Sequence, residues 1–193
     1  MTGGIISFSW AASVGITSLP RDFAFRGIVG MGTFDLVVIG KVVFLLTMAN
    51  AAPLIGKALL RDKMAIPIDC GLILRDGQPL FGKSKTIRGI VLALFATTIS
   101  APLVGLEFTT GAMVSASAMV GDLCSSFLKR RLRMPPGGMA IGLDQIPEAL
   151  LPAVVAKCVL PLTVLDVTAT VFLFFVGNYL YHIFCAEDSQ SAC

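Results

Sequence analysis

Gly77 to Gly89 reads GQPLFGKSKTIRG, and its first eight residues fit the G-x-x-x-x-G-K-[ST] pattern of a phosphate-cradling P-loop. A P-loop requires a strand before the glycine turn, a helix after it and a sheet to hold both. The flanking sequence denies it that setting. From Ile90 to Leu106 the chain carries no charged residue, and an apolar run of that length enters a bilayer rather than packing on a sheet. The stretch is therefore the junction of a polar loop with a membrane helix, and the chain reads as an all-α integral membrane protein.

Composition agrees. Of 193 residues 55% are hydrophobic and only 14% charged, against roughly 25% charged in soluble domains, and the mean hydropathy is +0.85. A net charge of +3 gives a nucleic-acid partner no support. Ten of the fifteen Lys and Arg form two groups: Arg61, Lys63, Arg75, Lys83, Lys85 and Arg88, then Lys129, Arg130, Arg131 and Arg133. Basic residues concentrate in cytoplasmic loops, so both groups are expected inside.

Five spans follow: Phe34 to Leu60, Gly89 to Leu106, Gly111 to Phe127, Ile146 to Leu165 and Val167 to Phe184. With both basic loops inside the cytoplasmic membrane, the N-terminus lies outside and the C-terminus inside. The third span is rich in Gly, Ala and Ser, which let helices approach closely, within one chain or in a homo-oligomer. The expected organisation is an N-terminal segment over 1–30, a membrane domain over 31–185 and a short polar tail over 186–193. Met1 to Ser18 is apolar but lacks the basic start of a signal peptide. The five cysteines are scattered without a C-x-x-C pair, which excludes a disulfide framework or zinc knuckle from the reading. His182 reads as an interfacial residue.

Lys83, Lys85 and Arg88 crowd one short segment, suited to a polyanion such as a triphosphate or to anionic headgroups beneath a positive-inside loop. Asp122, toward the cytoplasmic end of the third span, is a carboxylate at membrane depth and hence a functional candidate; the alternative is a buried pair with Lys41 or Lys157. Asp144 stands where the chain re-enters the membrane, with Glu148 one turn on; its alternative is a helix N-cap. Two carboxylates facing loops rich in Lys and Arg suit a magnesium and polyphosphate site.

The ordered segments Ala49-Asn50-Ala51-Ala52-Pro53, Pro67-Ile68-Asp69-Cys70-Gly71, Phe81 to Gly89, Gly121-Asp122, Ser125 to Arg131 and Leu143-Asp144-Gln145 resemble the motifs of the CDP-archaeol synthase family, related to phosphatidate cytidylyltransferases. The resemblance implies a five-helix membrane domain whose cytoplasmic loops form a nucleotide site. It also implies magnesium-dependent reaction of CTP with a phosphorylated lipid, giving a CDP-lipid and pyrophosphate. Two positions depart from the pattern. Asp69-Cys70-Gly71 stands where the family has Asp-Gly-Gly, and Asp144-Gln145-Ile146-Pro147 where it has Asp-Gln-x-Asp, with Glu148 displaced by one.

On this reading Asp122, Asp144, Lys85 and Arg88 are the catalytic set, and Asp122, Asp144 and Asp69 hold Mg2+. Lys83, Ser84, Lys85, Thr86 and Arg88, with Lys129, Arg130 and Arg131, bind CTP phosphates or the lipid phosphate. Asn50, Ser125 and Ser126 meet the lipid or its headgroup. Two rival classes are a small transporter component, with Lys41, Asp122 and Lys157 lining a path, and a noncatalytic scaffold whose basic loops recruit anionic lipid.

Overall fold

The structure, a computed structural model, describes residues 35–61, 63–134 and 142–190. The N-terminal segment 1–30, the Pro135 to Gly138 part of the second basic loop, the His182 side chain and the last three residues of the tail lie outside the described residues or side chains.

Among the described residues there are five α-helices: α1 (Leu36–Leu60), α2 (Ile87–Ser100), α3 (Phe108–Arg131), α4 (Gln145–Val159) and α5 (Val164–Gln190). Among the described residues there is no sheet, and the only β pairing is two isolated bridges in the first loop. The P-loop setting is absent there. Among the described residues four segments are long and apolar enough to cross a membrane: α1, α2 with its 3-10 extension to Val104, α3 and the Val164–Tyr181 part of α5.

The expected fourth span differs. Instead of running unbroken from Ile146 to Leu165, α4 stops at Val159 after 15 residues, about 22 Å of helix. Leu160 precedes Pro161, which disfavours the α region for the residue before it, and Leu160 is accordingly extended at φ −119°, ψ 152°. The chain then restarts in a capping box. Thr163 Oγ1 accepts from the Asp166 N–H at 3.2 Å, and Asp166 Oδ2 accepts from the Thr163 N–H at 2.8 Å. The other Asp166 oxygen accepts from the Asp35 N–H, joining the starts of α5 and α1. Asp166, between the expected fourth and fifth spans, is thus only 1% exposed and holds two helices together.

The third span is also longer than expected. Lys129, Arg130 and Arg131 sit in the last turn of α3, where cations complement the helix dipole. Small residues set the helix spacing as anticipated. A Cβ on Gly111 would lie 2.7 Å from Ala101 Cβ on the α2 extension, and one on Gly121 would lie 2.9 Å from Glu148 Cα on α4. The core they admit is apolar and mostly aliphatic, built from Val42, Leu45, Leu46, Val114 and Ala153 with Phe174 among others.

Candidate active site

The C-terminal ends of α1 and α3 and the N-terminal ends of α2 and α4 meet at one end of the bundle. Asp35, Lys41, Gly105 and Asp166 lie at the other: the Lys41 ammonium is 3.7 Å from where a Gly105 Cβ would be. Both basic loops therefore share a face.

At that face two lysine–carboxylate pairs cross between elements. Lys85, just before α2, pairs with Asp122 on α3. Lys129, at the end of α3, lies 2.8 Å from Asp144 Oδ1 and donates to Oδ2 at 2.9 Å. All four side chains are partly buried. The Asp122 partner is thus neither Lys41, near Gly105, nor Lys157, which is exposed in the last turn of α4. These three residues do not line one path, so the transporter reading loses its basis. Asp144 caps α4 by position, but its side chain makes no capping bond; the Gly142 N–H is taken instead by Gln145 Oε1 at 2.7 Å. Asp144 Oδ1 is buried and makes no hydrogen bond of proper geometry, although the ammonium is close.

Glu148 completes the surroundings. It follows Pro147 in the first turn of α4, where a proline is tolerated because first-turn N–H groups have no intrahelical partner. It is near enough to Asp122, Lys85, Asp144 and Lys129 to feel all four charges.

The remaining predicted residues have other contacts. Asp69 accepts from three backbone N–H groups: Gly71 on Oδ1 at 3.0 Å, and Phe81 at 3.0 Å and Gly82 at 2.9 Å on Oδ2. Burial pushes its carboxyl up, but those three donors outweigh it and hold the pKa below the usual carboxylate range. Both oxygens are engaged in shaping the loop. In a P-loop the N–H groups near the second glycine point at phosphate; here they point at Asp69.

Arg88 donates to the carbonyls of Arg61 and Lys63, closing the C-terminal end of α1 rather than entering the carboxylate cluster. Arg131 pairs with Asp76, donates to the carbonyls of Gln78 and Pro79, and lies 5.2 Å over the Phe127 ring. These contacts clamp a small hairpin at 72–80, held by Leu80 N–H to Leu72 O and Leu74 N–H to Gln78 O. Asp76-Gly77, with Gly77 at φ +74°, is the turn signal that could have revealed the hairpin from sequence.

Arg130 is 5% exposed, its Cδ 3.8 Å from where a Gly82 Cβ would be, so the loop folds over it. Thr86 caps α2, its hydroxyl accepting from the Gly89 N–H. Lys83 and Ser84 are exposed on the loop. Ser125 and Ser126 are buried, and the Ser125 hydroxyl turns back to the Asp122 carbonyl. The Asn50 Nδ2 has no partner among the described residues, so it is not engaged by the carbonyl that Pro53 leaves without a donor.

The arrangement concentrates two ammoniums and three carboxylates beneath a pinned loop, at the end of a membrane bundle. Among the described residues no three His, Cys, Asp or Glu side chains converge closely enough to hold a metal ion unaided.

The profile of a protein family described as CarS-like, CDP-archaeol synthase, matches residues 34–188. Several curated relatives carry the name CDP-archaeol synthase. One from Pyrococcus furiosus is 43% identical over 89 residues, which cover 41% of this chain and 53% of the relative. One from Saccharolobus solfataricus is 38% identical over 121 residues, 60% of this chain and 70% of the relative. One from Thermofilum pendens is 38% identical over 107 residues, 51% of this chain and 50% of the relative. The chain thus spans about half the length of the first and third and 70% of the second. A solved intramembrane enzyme of archaeal membrane-lipid biosynthesis shares the fold, with a TM-score of 0.65 at 24% identity over 74% of this chain and 91% of its own.

Proposed function

The chain belongs to the CarS-like CDP-archaeol synthase family, a family of CTP-dependent cytidylyltransferases, and from that premise we propose that it transfers a cytidylyl group from CTP to a phosphorylated isoprenoid glycerol ether, with Mg2+. The observation that carries the reading is the meeting of Lys85–Asp122 and Lys129–Asp144 at the loop-bearing end of a membrane bundle. We place that end on the cytoplasmic side, following the positive-inside bias of the two loops.

A lipid phosphate oxygen attacks the α-phosphorus of CTP, the new P–O bond forms, and the bond to the β-phosphate oxygen breaks to release pyrophosphate. The phosphate is already a nucleophile, so the chain need not activate a serine or cysteine. Its task is to bring polyanions together and to stabilise the charge that develops on the leaving pyrophosphate. Lys85 and Lys129 are placed to do this, with exposed Lys83 on the same loop drawing the nucleotide in. Asp69 acts indirectly, holding Phe81 and Gly82 so that Lys83 and Lys85 project from a fixed turn.

Hard oxygen donors fit magnesium, which takes one or two carboxylates and completes its shell with water and substrate phosphates rather than a protein cage. Asp122 and Asp144 are the residues to hold it, each now paired with a lysine that the ion and the substrate phosphates would draw away. When bound, the ion neutralises phosphate charge. The lipid tails stay among the helices while the head reaches the Lys and Asp residues, and Asn50 supplies an uncommitted amide donor on the way.

The test is pyrophosphate release from CTP by purified protein with Mg2+ and a panel of phosphorylated glycerol ethers and phosphatidic acids. Release should require lipid and metal, yield the matching CDP-lipid, and fall at least about a hundredfold in Asp122→Asn. Folded protein that neither binds CTP nor releases pyrophosphate would point to the scaffold.

A further inference from the structure

The apolar outer surface of the bundle does not stop where the helices stop. Along α2 the exposed residues are Ile87, Val91, Phe95 and Ile99, one on each turn, a stripe that a spanning helix with its other faces packed turns toward lipid. Its first residue leads into the first basic loop. The Ile87 N–H donates to the Ile66 carbonyl at 3.0 Å, and Arg88 holds the Lys63 carbonyl, so the 63–66 arm lies beside the start of α2. Met64 and Ile66 on that arm are each more than half exposed.

The same loop is fastened to a second stripe. On α3 the exposed surface passes through Val120, Cys124 and Phe127. One turn on, Arg131 lies over the Phe127 ring and clamps the 72–80 hairpin through Asp76, Gln78 and Pro79. That hairpin carries Leu72 and Ile73, again each more than half exposed. Single exposed apolar residues are ordinary, but four large ones on a loop that continues the lipid-facing surface of a spanning helix are costly in water. Exposed Lys63 and Arg75 flank them, while Asp76, next to Arg75, is paired with Arg131. Apolar side chains interleaved with Lys and Arg suit the boundary between headgroups and acyl chains, where the long basic stems lie along apolar surface and the charges reach lipid phosphate.

We propose that the first basic loop is an interfacial anchor. Met64, Ile66, Leu72 and Ile73 seat in the boundary of the leaflet at the loop-bearing end, and Lys63 and Arg75 rest on the phosphates of its anionic lipids. The anchor holds the loop that carries Lys83 and Lys85 at headgroup level. A membrane protein of any activity with this surface would anchor its loop in the same way.

The test places a tryptophan on each apolar arm. Ile66→Trp and Ile73→Trp, both with Trp10→Phe to remove the chain's single tryptophan, are reconstituted at full length into bilayers with or without phosphatidylglycerol. Emission is quenched by bromine on the lipid chains or by acrylamide in the water, and Phe95→Trp on the α2 stripe serves as the lipid reference. Both loop variants should be shielded from acrylamide and reach at least about half the bromolipid quenching of the reference, as suits side chains ~5–10 Å into the boundary. Quenching by lipid should rise with phosphatidylglycerol, and adding Lys63→Gln and Arg75→Gln should abolish that rise. Strong acrylamide quenching without lipid quenching leaves the loop in water and overturns the inference. Shielding from both quenchers covers the patch with protein, a second copy of the chain included, and overturns it as well. So does lipid quenching indifferent to phosphatidylglycerol, which removes the anionic partner, or loss of fold in both variants, which makes the two side chains structural.

Discussion

Lys85 and Lys129 meet side-chain carboxylates at neighbouring helices, whereas Arg88 and Arg131, from the same two basic segments, reach loop backbone carbonyls, Arg131 together with the loop carboxylate Asp76. The side chains suit those tasks. A guanidinium can serve several acceptors from fixed positions: Arg88 Nη1 donates to both carbonyls at the end of α1, and Arg131 puts Nη2 on the Gln78 and Pro79 carbonyls and Nη1 on Asp76, while an ammonium is a compact charge that can pass between anionic partners. On the proposed function one region is scaffold and the other is chemistry, although both read as the same positive charge in the sequence.

The comparison is broken most directly at Lys129. Lys129→Met should lower kcat/KM for CTP about a hundredfold and leave the hairpin at 72–80 as protease-resistant as before. Normal turnover, or a loosened hairpin, would move Lys129 to the scaffold side. Arg131→Met should do the reverse: faster tryptic cleavage at Arg75 and a loss of about tenfold in kcat/KM. Arg131→Lys should resemble Met, because one ammonium cannot replace a fork that binds two carbonyls and Asp76. A catalytic collapse with an intact hairpin would show Arg131 touching substrate.

Asp69 sharpens the scaffold side through pH. Burial raises its pKa, yet the N–H groups of Phe81, Gly82 and Gly71 win and leave it lowered. A carboxyl whose folded pKa is depressed adds stability that is fully present above its unfolded value, near about 4, and is lost as pH falls through the folded value. Protease resistance of the 67–86 loop should therefore hold from neutral pH to about 5 and decline below the unfolded value. Asp69→Asn should weaken the loop at neutral pH by about 1–3 kcal/mol and flatten that acid transition. An unchanged acid transition in the Asn variant would assign it to another group.

Much of this was legible in advance, for identifiable reasons. Apolar runs of bilayer length and basic loops marked the helices and the shared face, and the small residues of α3 marked its close packing. The Gly121-Asp122 and Asp144 carboxylates were legible because a charge at membrane depth needs a reason. What escaped depends on distance along the chain. Nothing local in Lys85 names Asp122, 37 residues away, as its partner rather than Lys41 or Lys157 as the partner of Asp122. Nor does Arg88 announce that it closes α1. The break at Leu160 was readable from Pro161 but hidden by the hydrophobicity on both sides, and Asp166 joins two helix starts 131 residues apart.

The smallest expected effect lies at Cys70, inside the scaffold region. Its φ is +46°, a left-handed conformation that costs a residue with a Cβ about 1–2 kcal/mol, and its N–H donates to the Pro67 carbonyl at 3.2 Å to close the turn that presents Asp69. Glycine at 70 would relieve the strain but lose about 0.5–1 kcal/mol through a more flexible unfolded chain. Cys70→Gly should therefore raise stability by no more than about 1 kcal/mol, read as a small upward shift in melting temperature, with kcat/KM unchanged. The thiol is exposed, and Asp69 is held by the N–H groups of Gly71, Phe81 and Gly82. A large loss of activity on this substitution would mean that the side chain at 70 reaches substrate, and would carry the chemistry out of the lysine pairs and into the loop that supports them.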